Sequence, residues 1–302
     1  MSIAVVGESL VDLVWHPGAG APDARAGGSP ANVAVGLRRL GRSVTLVTCW
    51  GDDPPGDLVR CHLADTGVDV DRAPSRSGRT TVALASIDAR TLAATYDFLP
   101  AWDPVALPIP EDAVLLHTGS LAVVVEPGAE QVLGACTQFR QRPGAVVAVD
   151  LNIRPTVQPD RPRYRAAIEA LVAVADVVKA SDDDLAWLWP DRTAEHAARA
   201  LLDRGARLVA LTCGGQGATG YTNGHTVAVP APQVEVVDTI GAGDAFQAAL
   251  LHGLLETGSP DHARFPADKA ELDRLLRRAV RAGSLATTRP GAQPPTLDEL
   301  EG

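Results

Sequence analysis

The chain has 302 residues, 46% of them hydrophobic, and a formal net charge of −10. That composition suits a large core in one α/β unit and excludes the clustered basic face of a nucleic-acid partner. No apolar run nears the roughly 20 residues of a membrane helix. The cysteines (Cys49, Cys61, Cys136, Cys213) show neither a CxxC nor a paired spacing, and no zinc pattern occurs among the histidines; free, mostly buried thiols in a reducing cytoplasm are expected.

In chain order, MSIAVVGESLVDLVW carries Glu8 and Asp12 within its apolar stretch and lacks a basic start, so it reads as a strand and not as a signal peptide. Residues 30–41, PANVAVGLRRLG, repeat apolar side chains at Val33, Leu37 and Leu40 between Pro30 and Gly41, which punctuate a helix. The runs SVTLVTCWG, AVLLHTGS, AVVAVDLN, ADVVKAS and RLVALTCG read as buried strands, and RYRAAIEALVAVA and TAEHAARALLDRGA as helices. Strands alternating with helices predict a mostly parallel sheet covered on both faces, with ligands at the carboxyl ends of its strands. Residues 10–28 and about 73–103 break that rhythm, with a turn near Asp88–Arg90. They predict a small separate β-sheet, either a lid over a strand-end site or a decorative edge. The Pro-rich stretches 100–110, 155–162 and 290–295 read as loops.

After the strand RLVALTCG, residues 215–220 spell GQGATG, a match to the GxGxxG of dinucleotide-binding folds. The continuation YTNGHTVAVP reads as a turn and strand, so a pyrophosphate would find no helix N-terminus there, and the dinucleotide reading fails. No GxxxxGK[ST] occurs. Further on, DTIGAGDAF sets Gly241, Ala242 and Gly243 ahead of Asp244 at the start of the apolar helix DAFQAALLHGLLETG. Bare backbone at a helix N-terminus suits a phosphate, because unpaired N–H donors approach it without Cβ obstruction. An acid is a poor neighbour for a phosphate unless it takes the proton of a hydroxyl attacking it; helix-end donors would then keep the acid ionised. The alternative is a plain helix cap after a glycine turn.

Seven stretches in order resemble the ribokinase-like (pfkB) carbohydrate kinases: GGSPANVAVGLRRLG (27–41), GDDPPGD (51–57), DLNIRP (150–155), VKASDDDL (178–185), LTCGGQG (211–217), VVDTIGAGDAF (236–246) and TTRPGAQP (287–294). The resemblance covers essentially the whole chain. It implies a ribokinase-like three-layer α/β/α fold, one kinase domain over 1–302 with a β-lid from about 10–28 and 73–103. It also implies transfer of the γ-phosphate of ATP to a sugar hydroxyl. Asp244 takes the position of the general base, with the amides of Gly241, Ala242 and Gly243 stabilising the transferring group. Asp12, Gly28 and Asn32 fall on sugar-binding positions, and Arg154 is either a substrate contact or a structural ion-pair partner. Thr212, Gly214 and Gly217 match the nucleotide loop. Lys179 either reaches the phosphates or lies on the surface. Small residues in AVRAGSLATT (279–288) resemble the helix against which adenine lies.

The family's Asn-x-x-Glu motif, which arranges Mg²⁺ through water, falls on Ser181 and Asp184, and both depart from that wording. Mg²⁺ keeps several waters and tolerates such changes; an exposed acidic helix start is the alternative. Asp238 and Ile240 match a monovalent-cation site, for K⁺, although Pro295 stands where some relatives carry a hydroxyl residue. Motif wording is most similar to the fructokinase branch. A 2-keto-3-deoxygluconate kinase is the rival, with Arg79, Arg90 and Arg154 as candidates for its carboxylate, and a catalytically silent sensor is the reading from another class. The implied partners are a sugar and ATP, with no nucleic acid and no membrane; the location implied is cytoplasmic, and a homodimer follows by analogy with relatives alone.

Overall fold

Strands with no exposed side chain, such as Ser2–Val6 and Val146–Asp150, require a sheet covered on both faces. The structure, a computed structural model, describes residues 2–15, 17–87, 94–256 and 264–302; the turn expected near Asp88–Arg90 lies outside them. The first half of the chain comprises β1 (Ser2–Val6), β2 (Leu10–Trp15), β3 (Asp23–Gly27), α1 (Ser29–Arg39), β4 (Ser43–Thr48), α2 (Pro54–Thr66), β5 (Asp69–Arg72), β6 (Thr81–Ile87), β7 (Ala94–Leu99), β8 (Ala113–Gly119) and α3 (Gly128–Phe139). The second half comprises β9 (Val146–Asp150), α4 (Arg161–Val172), β10 (Val177–Ser181), α5 (Asp182–Leu188), α6 (Ala194–Asp203), β11 (Leu208–Thr212), β12 (Ala218–Tyr221), β13 (Thr226–Val229), α7 (Ala242–Glu256), α8 (Lys269–Thr287) and α9 (Leu297–Glu301).

Nine strands form the main sheet in the order β13-β12-β11-β10-β9-β8-β1-β4-β5. Every pairing from β5 to β11 is parallel, and β12 and β13 add an antiparallel hairpin at one edge. The first strand of the hairpin begins within GQGATG, at Ala218, so the stretch leads into a strand and not an α-helix. One face of the sheet packs under α1, α7 and α8, with Val33, Leu37, Leu250 and Leu276 in a shared core. The other face packs on α3, α4 and α6, with Phe139, Ile168 and Leu201. A separate four-stranded sheet runs β3-β2-β6-β7, with β2 and β6 parallel. Among the described residues no helix is long and apolar enough to cross a membrane.

Some elements differ from their sequence expectation. The loop expected to 162 ends earlier, because Asp160 accepts from the Arg163 N–H and Pro162 suits the first helical turn, so α4 starts at Arg161. Helix α2, which the apolar periodicity hides, is defined by its ends: Asp53 caps the Gly56 N–H beside Pro54 and Pro55, and Gly67 closes it at φ 70. Of the four free thiols, Cys49 and Cys136 are buried, Cys213 is intermediate and Cys61 is exposed.

Helix α7 is buried on nearly every side, from Asp244 to Leu255. Its neighbour α1 approaches so closely that a Cβ on Gly36 would lie 2.7 Å from the Ala248 Cβ. This contact fixes how the first turns of the two helices meet. Gly36→Val is expected to cost about 1–3 kcal/mol by overpacking, seen as a lower Tm, together with a loss of kcat as α1 is pushed off α7.

Candidate active site

The carboxyl ends of β1, β8, β9 and β10 and the first turns of α1 and α7 surround a cleft of about 490 Å³, which β2 and β7 border from the small sheet. At its centre Asp244 is 9% exposed. Ser29 Oγ donates to Asp244 Oδ1 at 2.7 Å and Asn32 Nδ2 donates to Oδ2 at 2.8 Å. Ser29 and Asn32 lie one turn apart on α1, so both face the same carboxylate. Asp244 therefore does not cap its own helix; it joins two helices at their positive ends. Helix-end donors were expected to keep it ionised. Burial pushes its pKa upward, against the Ser29 and Asn32 hydrogen bonds; Asp150 adds to the rise and Lys179 opposes it. A raised pKa makes a carboxylate a better proton acceptor.

The glycine turn behaves largely as its residues require. Gly241 has φ 75, and a Cβ there would meet the Ala292 Cβ at 2.7 Å. Gly243 admits the Lys179 ammonium, whose Nζ lies 3.2 Å from where its Cβ would stand. The N–H groups of Gly241, Gly243 and Asp244 meet no acceptor among the described residues, whereas the Ala242 N–H turns to the Thr239 carbonyl at 3.3 Å, away from the expected cradle. Lys179 is not a surface lysine: it is 4% exposed and donates to Asp150 Oδ2 at 2.7 Å. Burial works against its charge, but Asp150, with help from Asp184 and Asp244, outweighs it and raises the pKa.

Opposite the cradle, Asp12 on β2 faces the cleft beside Gly28, Asn32 and Arg154. It is not a solvent-facing acid: burial pushes its pKa up to about 6, Arg154 pulls it down and Asp244 adds to the rise. A Cβ on Gly27 would lie 2.8 Å from Asp12 Oδ2, and one on Gly28 would lie 2.6 Å from the Glu8 carbonyl, where φ is 110. The Arg154 Nη1 donates to the Ile153 carbonyl at 3.0 Å.

Other predicted residues lie outside the cleft lining. Asp184 is 7% exposed, so the exposed-acid alternative holds only for Asp182 and Asp183. Its Oδ1 accepts from the Ile153 N–H at 2.8 Å and its Oδ2 from the Ser181 N–H at 2.8 Å, while the Ser181 hydroxyl accepts from the Asp184 N–H. Ser181 and Asp184 thus form a capping box on α5 that also anchors the loop after β9. Thr212 ends β11, Gly214 opens the short turn after it, and Gly217 at φ 102 has the Val229 carbonyl 2.0 Å from its missing Cβ. Beyond that turn lies a groove of about 550 Å³ between residues 229–234 and α8, lined by Val280, Ser284 and Leu285. Asp238 stitches two loops, accepting from the Ile240 and Gly291 N–H groups.

Sequence reasoning missed Glu8, Ser29, Ser120, Asp150 and Asn152, all of which border the cleft. Asp150 and Asn152 stood within DLNIRP, and Ser29 one helical turn before Asn32. The burial of Glu8 and the left-handed turn at Ser120 left no local signal.

The sequence matches the description "pfkB family carbohydrate kinase" over residues 2–299. The chain belongs to this family. It is 35% identical to a fructokinase of Klebsiella pneumoniae over 310 residues, covering 99% of this chain and 98% of that one. Among solved structures, the Xylella fastidiosa fructokinase with bound ATP superposes with a TM-score of 0.85 at 28% identity, over 99% of this chain and 97% of that one. A Vibrio cholerae fructokinase double mutant, bound to fructose, ADP and a potassium ion, superposes with a TM-score of 0.84 at 28% identity and the same coverage. This pfkB kinase is an ATP-dependent sugar kinase with a ribokinase-like fold.

The raised pKa of Asp12 has a consequence for stability. A carboxyl at about 6 in the native protein and 3.8 unfolded binds more protons when folded, so the stability that Asp12 contributes is fully present below pH 4 and is lost as pH rises through 6. Asp12→Asn is expected to raise stability at pH 7–8 by about 1–3 kcal/mol, with the gain vanishing below pH 4 in urea melts, while sugar KM rises.

Proposed function

We propose that this sugar kinase phosphorylates fructose, with Asp244 as the base. The observation that carries the reading is the juxtaposition of a buried, two-helix carboxylate with unpaired N–H donors on one side and a polar sugar-sized space on the other. A sugar hydroxyl oxygen attacks the γ-phosphorus in line and the bond to the ADP oxygen breaks. Asp244 takes the hydroxyl proton, and the Gly241, Gly243 and Asp244 amides with Lys179 stabilise charge on the phosphoryl oxygens. Asp12, the backbone at Gly28, the amide oxygen of Asn32, and Arg154 orient the sugar. The small sheet acts as a lid that excludes water from the phosphoryl group. The groove beside α8 takes the base of the nucleotide, with the Thr212–Gly217 turn passing its phosphates.

Charge supports a neutral sugar. Glu8, Asp12, Asp150 and Asp244 border the cleft, against Lys179 and Arg154, and Lys179 is already paired. Of the arginines considered for a sugar-acid carboxylate, Arg154 lines the cleft, Arg79 is exposed and outside it, and Arg90 lies outside the described residues.

Mg²⁺ enters with ATP in this reading. Asp150 Oδ1, buried in the cleft without a hydrogen-bond partner, is an oxygen the hydrated ion would meet; Asp184 stands one layer behind. When bound, the ion neutralises charge on the β- and γ-phosphates. The loops joined by Asp238 fit a K⁺ site built from backbone carbonyls near Asp238 and Ile240.

Asp244→Asn is expected to lower kcat by about 10²–10⁴-fold while calorimetry still detects ATP binding; near-normal turnover would remove Asp244 from the base role. In a panel of fructose, 2-keto-3-deoxygluconate, ribose and a nucleoside, fructose is expected to give the highest kcat/KM in sugar-dependent ADP release.

A further inference from the structure

Two neighbouring positions in the cleft have backbones in the left-handed region that side-chain-bearing residues uncommonly adopt. Ser120, after β8, has φ 59 and Asn152, after β9, has φ 39; among the described residues these are the non-glycine residues at positive φ. The cause lies in the crossing of the two strand ends. A Cβ on Gly119 would lie 2.0 Å from the Asp150 carbonyl, so both chains leave the sheet through a tight bend. Asn tolerates the left-handed region better than most residues, but such positions still store strain and are kept where the surroundings hold them.

At Asn152 the surroundings do so through the backbone. The Leu151 N–H donates to the Lys179 carbonyl at 2.9 Å, and the Ile153 N–H donates to Asp184 Oδ1 at 2.8 Å. The residue is thus pinned on both sides while its half-buried side chain borders the cleft. Its polar neighbours differ from it. Asp150 is paired with Lys179, the Arg154 Nη1 holds its own chain, and Ser120 is turned to Glu8, which also accepts from the Ala122 N–H at 3.0 Å. The Asn152 amide makes no hydrogen bond to another described residue. A neutral group that donates and accepts at once, rigidly presented in a cleft of acids, matches adjacent sugar hydroxyls and offers nothing to a second anion.

We propose that Asn152 is a sugar-binding residue that sets specificity through its side-chain amide, a proposal that rests on the sugar-site reading of this cleft. The competing explanation is that asparagine stands there only because its backbone tolerates the bend. Asn152→Gly separates the two, since glycine adopts the left-handed bend without strain and lacks the amide.

The experiment measures wild type and Asn152→Gly with the best substrate of the sugar panel and with its monodeoxy analogues. Asn152→Gly is expected to keep or raise the Tm, keep KM for ATP within about twofold, and raise sugar KM about 10–100-fold, the loss of one or two hydrogen bonds. One or two deoxy analogues should already carry that loss in the wild type and suffer little more in the variant. An unchanged sugar KM, a penalty equal for every analogue, or a rise in KM for ATP alone would overturn the assignment. A panel led by a sugar other than fructose would correct the substrate and leave this test in place with that sugar.

Discussion

The interaction on which the molecule depends is one carboxylate held between two helix N-termini. Asp244 sits in the first turn of α7, and Ser29 and Asn32, in the first turn of α1, donate to both of its oxygens. A buried acid without such donors would be costly. The close approach at Gly36 and Ala248 brings the donors into place, and the near-complete burial of α7 holds them there. Fold stability and the candidate site therefore share one contact: whatever separates α1 from α7 also releases Asp244.

Charge around that contact is arranged in opposition. Asp150 anchors Lys179 beside Gly243, which brings a cation to the glycine turn at the expense of a second carboxylate near Asp244. Across the cleft, Asp244 adds to the rise that burial causes in the pKa of Asp12. Carboxylates this close resist ionisation together, which favours proton acceptance and disfavours the empty folded state. The cleft is a place where stability is given up for function.

The small sheet is joined to the body by apolar contacts on two sides: Val11 of β2 belongs to the main core, with Leu13 and Ala26 packed against it. Leu10 and Ala83 form a minor cluster with Leu121, against which Phe98, Val125 and Val157 pack. Strand alternation turns Leu10, Asp12 and Val14 of β2 to the cleft. The seat on the cleft side, the turn at Leu121, follows the residue Ser120 that Glu8 holds.

Much of this was legible before the structure. Buried strand runs such as AVVAVDLN have no other stable place than a covered parallel sheet, and GAGDAF at the head of an apolar helix states its chemistry locally, because glycine freedom and helix-end donors act within a few residues. Helix α2, marked only by its caps, and the depth of Lys179 were not legible, because burial depends on what other segments bring. Sequence alone determined the layer architecture and the bare glycine turn with its acid at the head of α7, since each follows from local pattern and backbone chemistry. Only the tertiary structure decided that Asp244 is gripped from α1, that Asp150 claims Lys179, that Asp184 faces inward and that Asn152 is bent toward the cleft. Those outcomes join residues far apart in the chain, and the energy that selects them exists only once the layers have packed.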